Sequence, residues 1–219
     1  MRSIDINCDL GELDDGSDLQ IMPYISSCNI ACGGHAGNPN LMLKAIQEAN
    51  RYLVTIGAHP GYVDKVNFGR SFVKLESPEV TMLIYDQVSR LQNIATNERA
   101  TIRHIKLHGA LYHEASENAE TAHAVIEGIK KTGLELAVLG PTHSELERAA
   151  RSGGLEFYRE SFIDRRYNQK GRLVPRNQPN ALIEDLKNIE KQLCFSQEIE
   201  LFEAKDNRSW SKESNSHTG

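Results

Sequence analysis

Short apolar runs that close on a histidine or an acid beside glycine recur through the first half of the chain. They end in Asp9-Leu10-Gly11-Glu12, Gly34-His35-Ala36-Gly37, Ala58-His59-Pro60-Gly61 and Leu107-His108-Gly109-Ala110. Runs this short match buried strands better than helices. Glycine lets the backbone turn sharply and lets another group approach it closely. Apolar strand, polar turn, then helix is how a parallel α/β protein sets reactive groups along one rim. The chain is therefore expected to be an α/β enzyme.

The remaining punctuation agrees. Strands are predicted over Ile4–Cys8, Cys28–Cys32, Val54–Ala58, Ile102–Leu107, Leu134–Leu139 and Glu156–Phe162, with a short helix or turn over Asp18–Tyr24. Asn38-Pro39 and Ser77-Pro78 pair a capping side chain with proline at the first helical position, so helices run from there to about Tyr52 and Ala95. Ala119–Lys131 reads as a helix stopped by Gly133, and Thr142-His143-Ser144-Glu145 as a capping box. A polar loop over Asp164–Pro179 precedes a last helix over Asn180–Leu193. Six strands separated mostly by helices imply parallel pairing with right-handed crossovers, as an open sheet or a barrel. Asp9-Leu10-Gly11-Glu12 lacks the Gly-x-Gly-x-x-Gly of a dinucleotide site, which favours an irregular barrel. One barrel domain is expected over 1–195. The tail over 196–219, rich in Ser, Asn, Lys and Glu, is expected to be atypical and poorly ordered.

A net charge of −5 with mixed signs lacks the basic face that nucleic acid requires. No apolar stretch is long enough for a membrane span, and the amino terminus carries no signal-peptide core, so the expected location is the cytoplasm. Four cysteines give no disulfide framework, and Cys28 and Cys32 read as two small buried thiols.

Candidate site residues follow from position. Asp9 and Glu12 end the first strand, where a carboxylate can bind metal, orient a histidine or act as a base; a helix cap or solvated loop acid is the plainer alternative. His35, His59 and His108 each follow a different strand, and imidazole ligates metals or moves protons near neutral pH. Lys106 shares a strand face with His108. It either turns inward, paired with an acid such as Asp9 or facing a developing oxyanion, or points outward. Tyr112 offers a hydroxyl shortly after. His104 lies deeper on the same strand, as core. Asp164 and Arg176 flank a loop shaped by Tyr167, Gly171 and two prolines, and Asn67-Phe68-Gly69-Arg70 forms another rim loop.

Taken in order, the segments 6–12, 29–37, 57–62, 106–112, 162–167 and 173–176 resemble the LamB/YcsF family, which is identified with the A subunit of bacterial 5-oxoprolinase. The resemblance implies an irregular, seven-stranded-type β/α (TIM-like) barrel of the glycoside hydrolase/deacetylase kind. It also implies ATP-dependent opening of 5-oxo-L-proline to L-glutamate, with ATP and Mg as cofactors and subunits B and C as partners. Asp9, His35, His59, His108 and Asp164 match motif positions. Asp9 or His59 is expected to activate water, His108 and Lys106 to stabilise an oxyanion or phosphate, and Arg176 to hold the substrate carboxylate, with Asp164 in the catalytic set and Glu12, His35 and Tyr112 near the substrate. Alternatives are a metal-dependent carbohydrate or amide deacetylase, with Asp9, His35 and His59 as divalent-metal ligands, and a non-catalytic subunit that completes a complex. The family's closing strand, with a Val-His-Gly-Asp-like segment, has no counterpart in Gln197–Gly219, so the barrel is expected to lack that strand.

Overall fold

The computed structural model describes residues 4–168, 171–176 and 178–193, and its contacts divide the chain into two units at Glu160/Ser161. The expectation for 196–219 lies outside the described residues. No described helix is long and apolar enough to cross a membrane.

In the first unit, six parallel strands form one sheet in chain order: β1 (Asn7–Leu10), β2 (Ser27–Ala31), β3 (Thr55–His59), β4 (Ile102–Lys106), β5 (Ala137–Gly140) and β6 (Phe157–Arg159). Long crossovers carry α2 (Pro39–Tyr52), α3 (Ser77–Asn97), α4 (Gly109–Glu117), α5 (Ala119–Lys131) and α6 (Glu145–Ser152), and α1 (Ser17–Ile21) with a 3-10 turn sits between β1 and β2. The first strand starts later than its alternating isoleucines suggest. Ile4 and Ile6 precede it and are exposed, and Asn7 opens it instead. The sixth is shorter than expected, and α4 begins directly at His108, its N-cap.

Helix starts follow local chemistry. The Asn38 side chain accepts from the backbone N–H groups of Asn40 and Leu41, with Pro39 behind it. At α3 the cap is Glu76 rather than Ser77, in a reciprocal box with Glu79. At α6 the box expected from Thr142 moves two residues on, where Ser144 Oγ accepts from the Glu147 N–H at 3.0 Å. Cys28 and Cys32 are buried free thiols.

The strands alternate between two faces. On one, Cys28, Ile30, Ile56, Ala58, Ile105 and Val138 are buried. They make the sheet's half of an apolar layer with helix residues such as Leu41, Ile46, Ile84, Leu91 and Ile129. The other face carries Asn7, Asp9, Asn29, Gly57, His59, His104 and Lys106, a polar set that the register places side by side. The sheet curls around these residues: Lys106 of β4 reaches Asp9 of β1 at 3.2 Å and Glu160, just past β6, at 3.3 Å. This is the α/β fold with a curled parallel sheet, in agreement with a TIM-like barrel.

The second unit pairs Arg165 with Leu182 and Tyr167 with Leu173 in antiparallel bridges, and a helical stretch covers 186–193, shorter than the helix expected from Asn180.

Gly57 leaves the room that the His104 ring fills. A Cβ built there would lie 2.1 Å from His104 Nε2. Gly57→Ala is expected to lower stability by about 1–3 kcal/mol through overpacking. Urea denaturation of Gly57→Ala, His104→Ala and the double variant should show the pair losing less than the two single changes together.

Candidate active site

The carboxyl ends of β1, β3 and β4 and the loop after β2 bring four side chains together. Glu12, His35, His59 and His108 each offer one donor atom, and these atoms lie within 4.8 Å of one another. Glycine makes this approach possible. Gly69, at φ +63, folds the 64–70 loop back so closely that a Cβ would meet His35 Cβ at 2.6 Å. Phe68, beside it, holds a left-handed φ of 55° and presents its carbonyl to the cluster.

Backbone carbonyls set the imidazole tautomers. His59 Nδ1 lies 2.8 Å from the Lys106 carbonyl, and His108 Nε2 lies 2.9 Å from the Phe68 carbonyl. A carbonyl only accepts, so both nitrogens carry hydrogen. Their other nitrogens, His59 Nε2 and His108 Nδ1, face each other at 2.9 Å. His35 differs. Its Nε2 lies 3.0 Å from Glu12 Oε1, its Nδ1 is buried without a partner, and its ring stacks on His108 with centroids 3.6 Å apart.

Asp9 borders this cluster. Two donors converge on its Oδ1, Asn29 Nδ2 at 2.7 Å and Lys106 Nζ at 3.2 Å, while Oδ2 lies 3.4 Å from His59 Nε2. The carboxyl group is thus held by one oxygen and presents the other to the imidazoles. Asn29 is fully committed: its amide nitrogen also donates to Asn7 Oδ1, and its Oδ1 accepts from His104 Nε2 at 2.7 Å.

The electrostatics follow. Burial raises the Asp9 pKa, but His59 and Lys106, with the Asn29 hydrogen bond, hold it well below the usual carboxylate range. Burial lowers the His59 pKa, and the Asp9 charge more than offsets this, so it ends raised. Burial, with the neighbouring His59 and His35, pushes His108 down to about 2, and burial is the main cause that takes His104 to about 4. Burial lowers His35 despite its bond to Glu12. Burial disfavours the Lys106 charge, yet Glu160 and Asp9 raise its pKa overall.

Of the residues expected from sequence, Asp9, Glu12, His35, His59, Lys106 and His108 meet here. Lys106 turns inward. Tyr112 is buried one turn into α4. Asp164 and Arg176 belong to the second unit; there the Asp164 carbonyl accepts from the Ile183 N–H at 2.8 Å, and Arg176 is exposed. Asn29 and Glu160 were not anticipated. The signal for Asn29 was a polar residue between Cys28 and Ile30 in a wholly buried strand.

A family model described as the LamB/YcsF family matches residues 4–209. The chain belongs to this family. It is 42% identical over 189 residues to a protein from Brevibacillus brevis named as the A subunit of 5-oxoprolinase, covering 84% of this chain and 74% of that one. A Pyrococcus abyssi protein of the same name is also 42% identical, over 190 residues, covering 85% and 74%. The crystal structure of a lactam utilization protein from Thermus thermophilus superposes with a TM-score of 0.82 at 35% identity, over 87% of this chain and 78% of that chain.

Within this LamB/YcsF fold, removing the shared, buried ammonium leaves two half-buried carboxyl groups without their common partner. Lys106→Met is expected to cost about 3 kcal/mol at neutral pH. The pH dependence has a definite sign. In the native protein the depressed Asp9 pKa contributes stability above its ordinary value of 3.8, which is lost as pH falls through the folded value. The variant lacks much of that contribution, so its deficit should shrink in acid. Urea denaturation across neutral and acidic buffers measures both effects.

Proposed function

We propose that this chain is the amide-opening subunit of a 5-oxoprolinase, converting 5-oxo-L-proline to L-glutamate in an assembly that includes subunits B and C, consumes ATP and uses Mg as its cofactor. The observation that carries this reading is the carboxylate–imidazole–ammonium cluster at one end of the parallel strands, in a chain about 40% identical to proteins named as 5-oxoprolinase A subunits.

A lactam carbonyl is a poor electrophile, and ATP supplies the activation by making its oxygen a better leaving system. With that oxygen phosphorylated and ADP released, one water attacks the carbon, the ring C–N bond breaks as its nitrogen takes a proton, and a second water cleaves the resulting acyl phosphate to glutamate and phosphate. Asp9 Oδ2 lies outside the Asn29 and Lys106 clamp of an ionised carboxyl group, beside His59 Nε2, and is the proposed acceptor of a proton from water. His59, whose raised pKa favours its protonated form, is the donor for the leaving nitrogen. Lys106 is the better partner for developing negative charge. His108 commits its Nε2 hydrogen to Phe68 and resists protonation at Nδ1. The oxyanion role expected of His108 and Lys106 together therefore rests on Lys106. Arg176 is proposed to hold the substrate carboxylate, Tyr112 to be a further substrate contact and Asp164 to belong to the catalytic set. The assembly is proposed to act in the cytoplasm.

The test is glutamate release from 5-oxoproline by the purified chain with its subunits B and C, ATP and Mg. Wild type should turn over only with ATP present. Asp9→Asn should lower kcat by at least about 100-fold, on the scale of a lost general base. Unchanged turnover in Asp9→Asn, or acetate release from an acetylated sugar without ATP, overturns the proposal.

A further inference from the structure

The centre of the histidine cluster is richer in lone pairs than in hydrogens. Glu12 Oε1, Asp9 Oδ2 and His108 Nδ1 all border His59 Nε2, at 3.8, 3.4 and 2.9 Å. His59 and His108 each have the outer N–H committed to a backbone carbonyl, so each in its neutral form turns a lone pair inward. At most one hydrogen, on His59 Nε2, is available among these atoms. A buried cluster of acceptors attracts a cation.

We propose that Glu12, His59 and His108 form a three-donor site for a divalent first-row transition ion of the zinc class. Three donors held about 2.1 Å from one tetrahedral ion lie roughly 3.4 Å apart. Here Glu12 Oε1 to His108 Nδ1 is 3.3 Å, His59 Nε2 to His108 Nδ1 is 2.9 Å, and His59 Nε2 to Glu12 Oε1 is 3.8 Å. The donors are largely withdrawn from solvent, with side-chain exposures of 1% for His59, 8% for His108 and 19% for Glu12. Backbone carbonyls on the outer nitrogens are the support that metal-bound histidines ordinarily have. Two imidazoles and one carboxylate suit zinc, cobalt or nickel; magnesium and calcium take oxygen donors.

His35 stands outside the ligand set, although it borders the same centre. Its Nε2 hydrogen is directed at Glu12 Oε1, and moving that hydrogen to Nδ1 would bury a donor against Gly61 with no acceptor. Its ring is also parallel to that of His108, 2° apart in plane, so the two rings do not aim lone pairs at one point. His35 instead orients Glu12. Asp9 is excluded differently: Lys106 and Asn29 hold its Oδ1, its Oδ2 reaches only the His59 edge of the cluster at 3.4 Å, and the donor atoms that all lie within 4.8 Å of one another do not include it. The ligand set expected from sequence, Asp9 with His35 and His59, therefore gives way to Glu12 with His59 and His108.

An ion on His59 Nε2 displaces the proton that the nitrogen otherwise carries, so metal binding is measured without turnover. The full chain, stripped with a chelator and dialysed, is titrated with cobalt(II) while the visible ligand-field band is followed, and with zinc by calorimetry. One equivalent of each should bind, and zinc should raise the thermal midpoint. Glu12→Ala, His59→Ala and His108→Ala should abolish the cobalt band, with folding verified by circular dichroism. His35→Phe, which keeps the stacked ring, should weaken binding about 10-fold, the scale of a lost outer-shell partner. Absence of binding by the wild-type chain overturns the proposal, even if every variant misfolds. Binding that persists unchanged in folded His59→Ala and His108→Ala also overturns it, because the ion then sits elsewhere.

Discussion

A buried lysine ammonium held by two carboxyl groups organises this molecule. Lys106 is 7% exposed, and an isolated charge at that depth would be far too costly to keep. It is tolerated because Asp9 and Glu160 approach from opposite sides, one at the end of β1 and one just past β6. The two edge strands of the sheet are thereby tied to a central strand through its interior face. A flat sheet could not bring β1 and the end of β6 to one side chain of β4. Curling of the sheet and placement of the reactive carboxyl group are two consequences of the same ion pairs.

The polar interior also explains why the structure spends so many side chains below the site. Barrel interiors are usually filled by branched apolar residues. Here Asn7, Asn29 and His104 fill the layer beneath Asp9, with Gly57 making room. Each amide hydrogen of Asn29 has an acceptor, and its oxygen has the His104 donor. Such saturation avoids the penalty of a half-satisfied network. It also fixes which way the Asn29 amide faces, because a carboxylate can only accept. The result is a rigid floor that presents one chosen oxygen of Asp9 upward.

Much of this was legible in the sequence because it depended on short-range signals. Glycine beside histidine at the end of an apolar run located the ends of β3 and β4 and the turn after β2, and Asn38-Pro39 located a helix start. What stayed hidden depended on register or on side chains reaching across the sheet. The alternation of Ile4 and Ile6 suggested a strand that starts too early, whereas pairing of Asn7 with Ser27 sets where it begins. Glu160 carries no motif of its own; only the curl of the sheet brings it to Lys106. The difference between His35 and the other two histidines is likewise invisible in sequence, since all three sit close to glycine. It resides in what the second ring nitrogen meets: a carbonyl for His59 and His108, and the glycine at position 61 for His35.

That difference separates roles within one cluster. An imidazole whose outer nitrogen donates to a carbonyl has a fixed inward lone pair and can hold a cation or accept a proton there. An imidazole whose outer nitrogen meets only carbon keeps its hydrogen on the inner side and acts as a donor. His35 is of the second kind, and its partner is Glu12. Lys106 is shared by Asp9 and Glu160, while Glu12 faces the histidines, so carboxylate charge lies beside the two inward lone pairs. The raised pKa of His59 and the affinity for a metal ion proposed at the same centre have one electrostatic origin: proton and metal compete for the position beside that charge. The 64–70 loop controls access to this choice, because the carbonyl of Phe68 fixes His108 and thus whether the second lone pair faces inward.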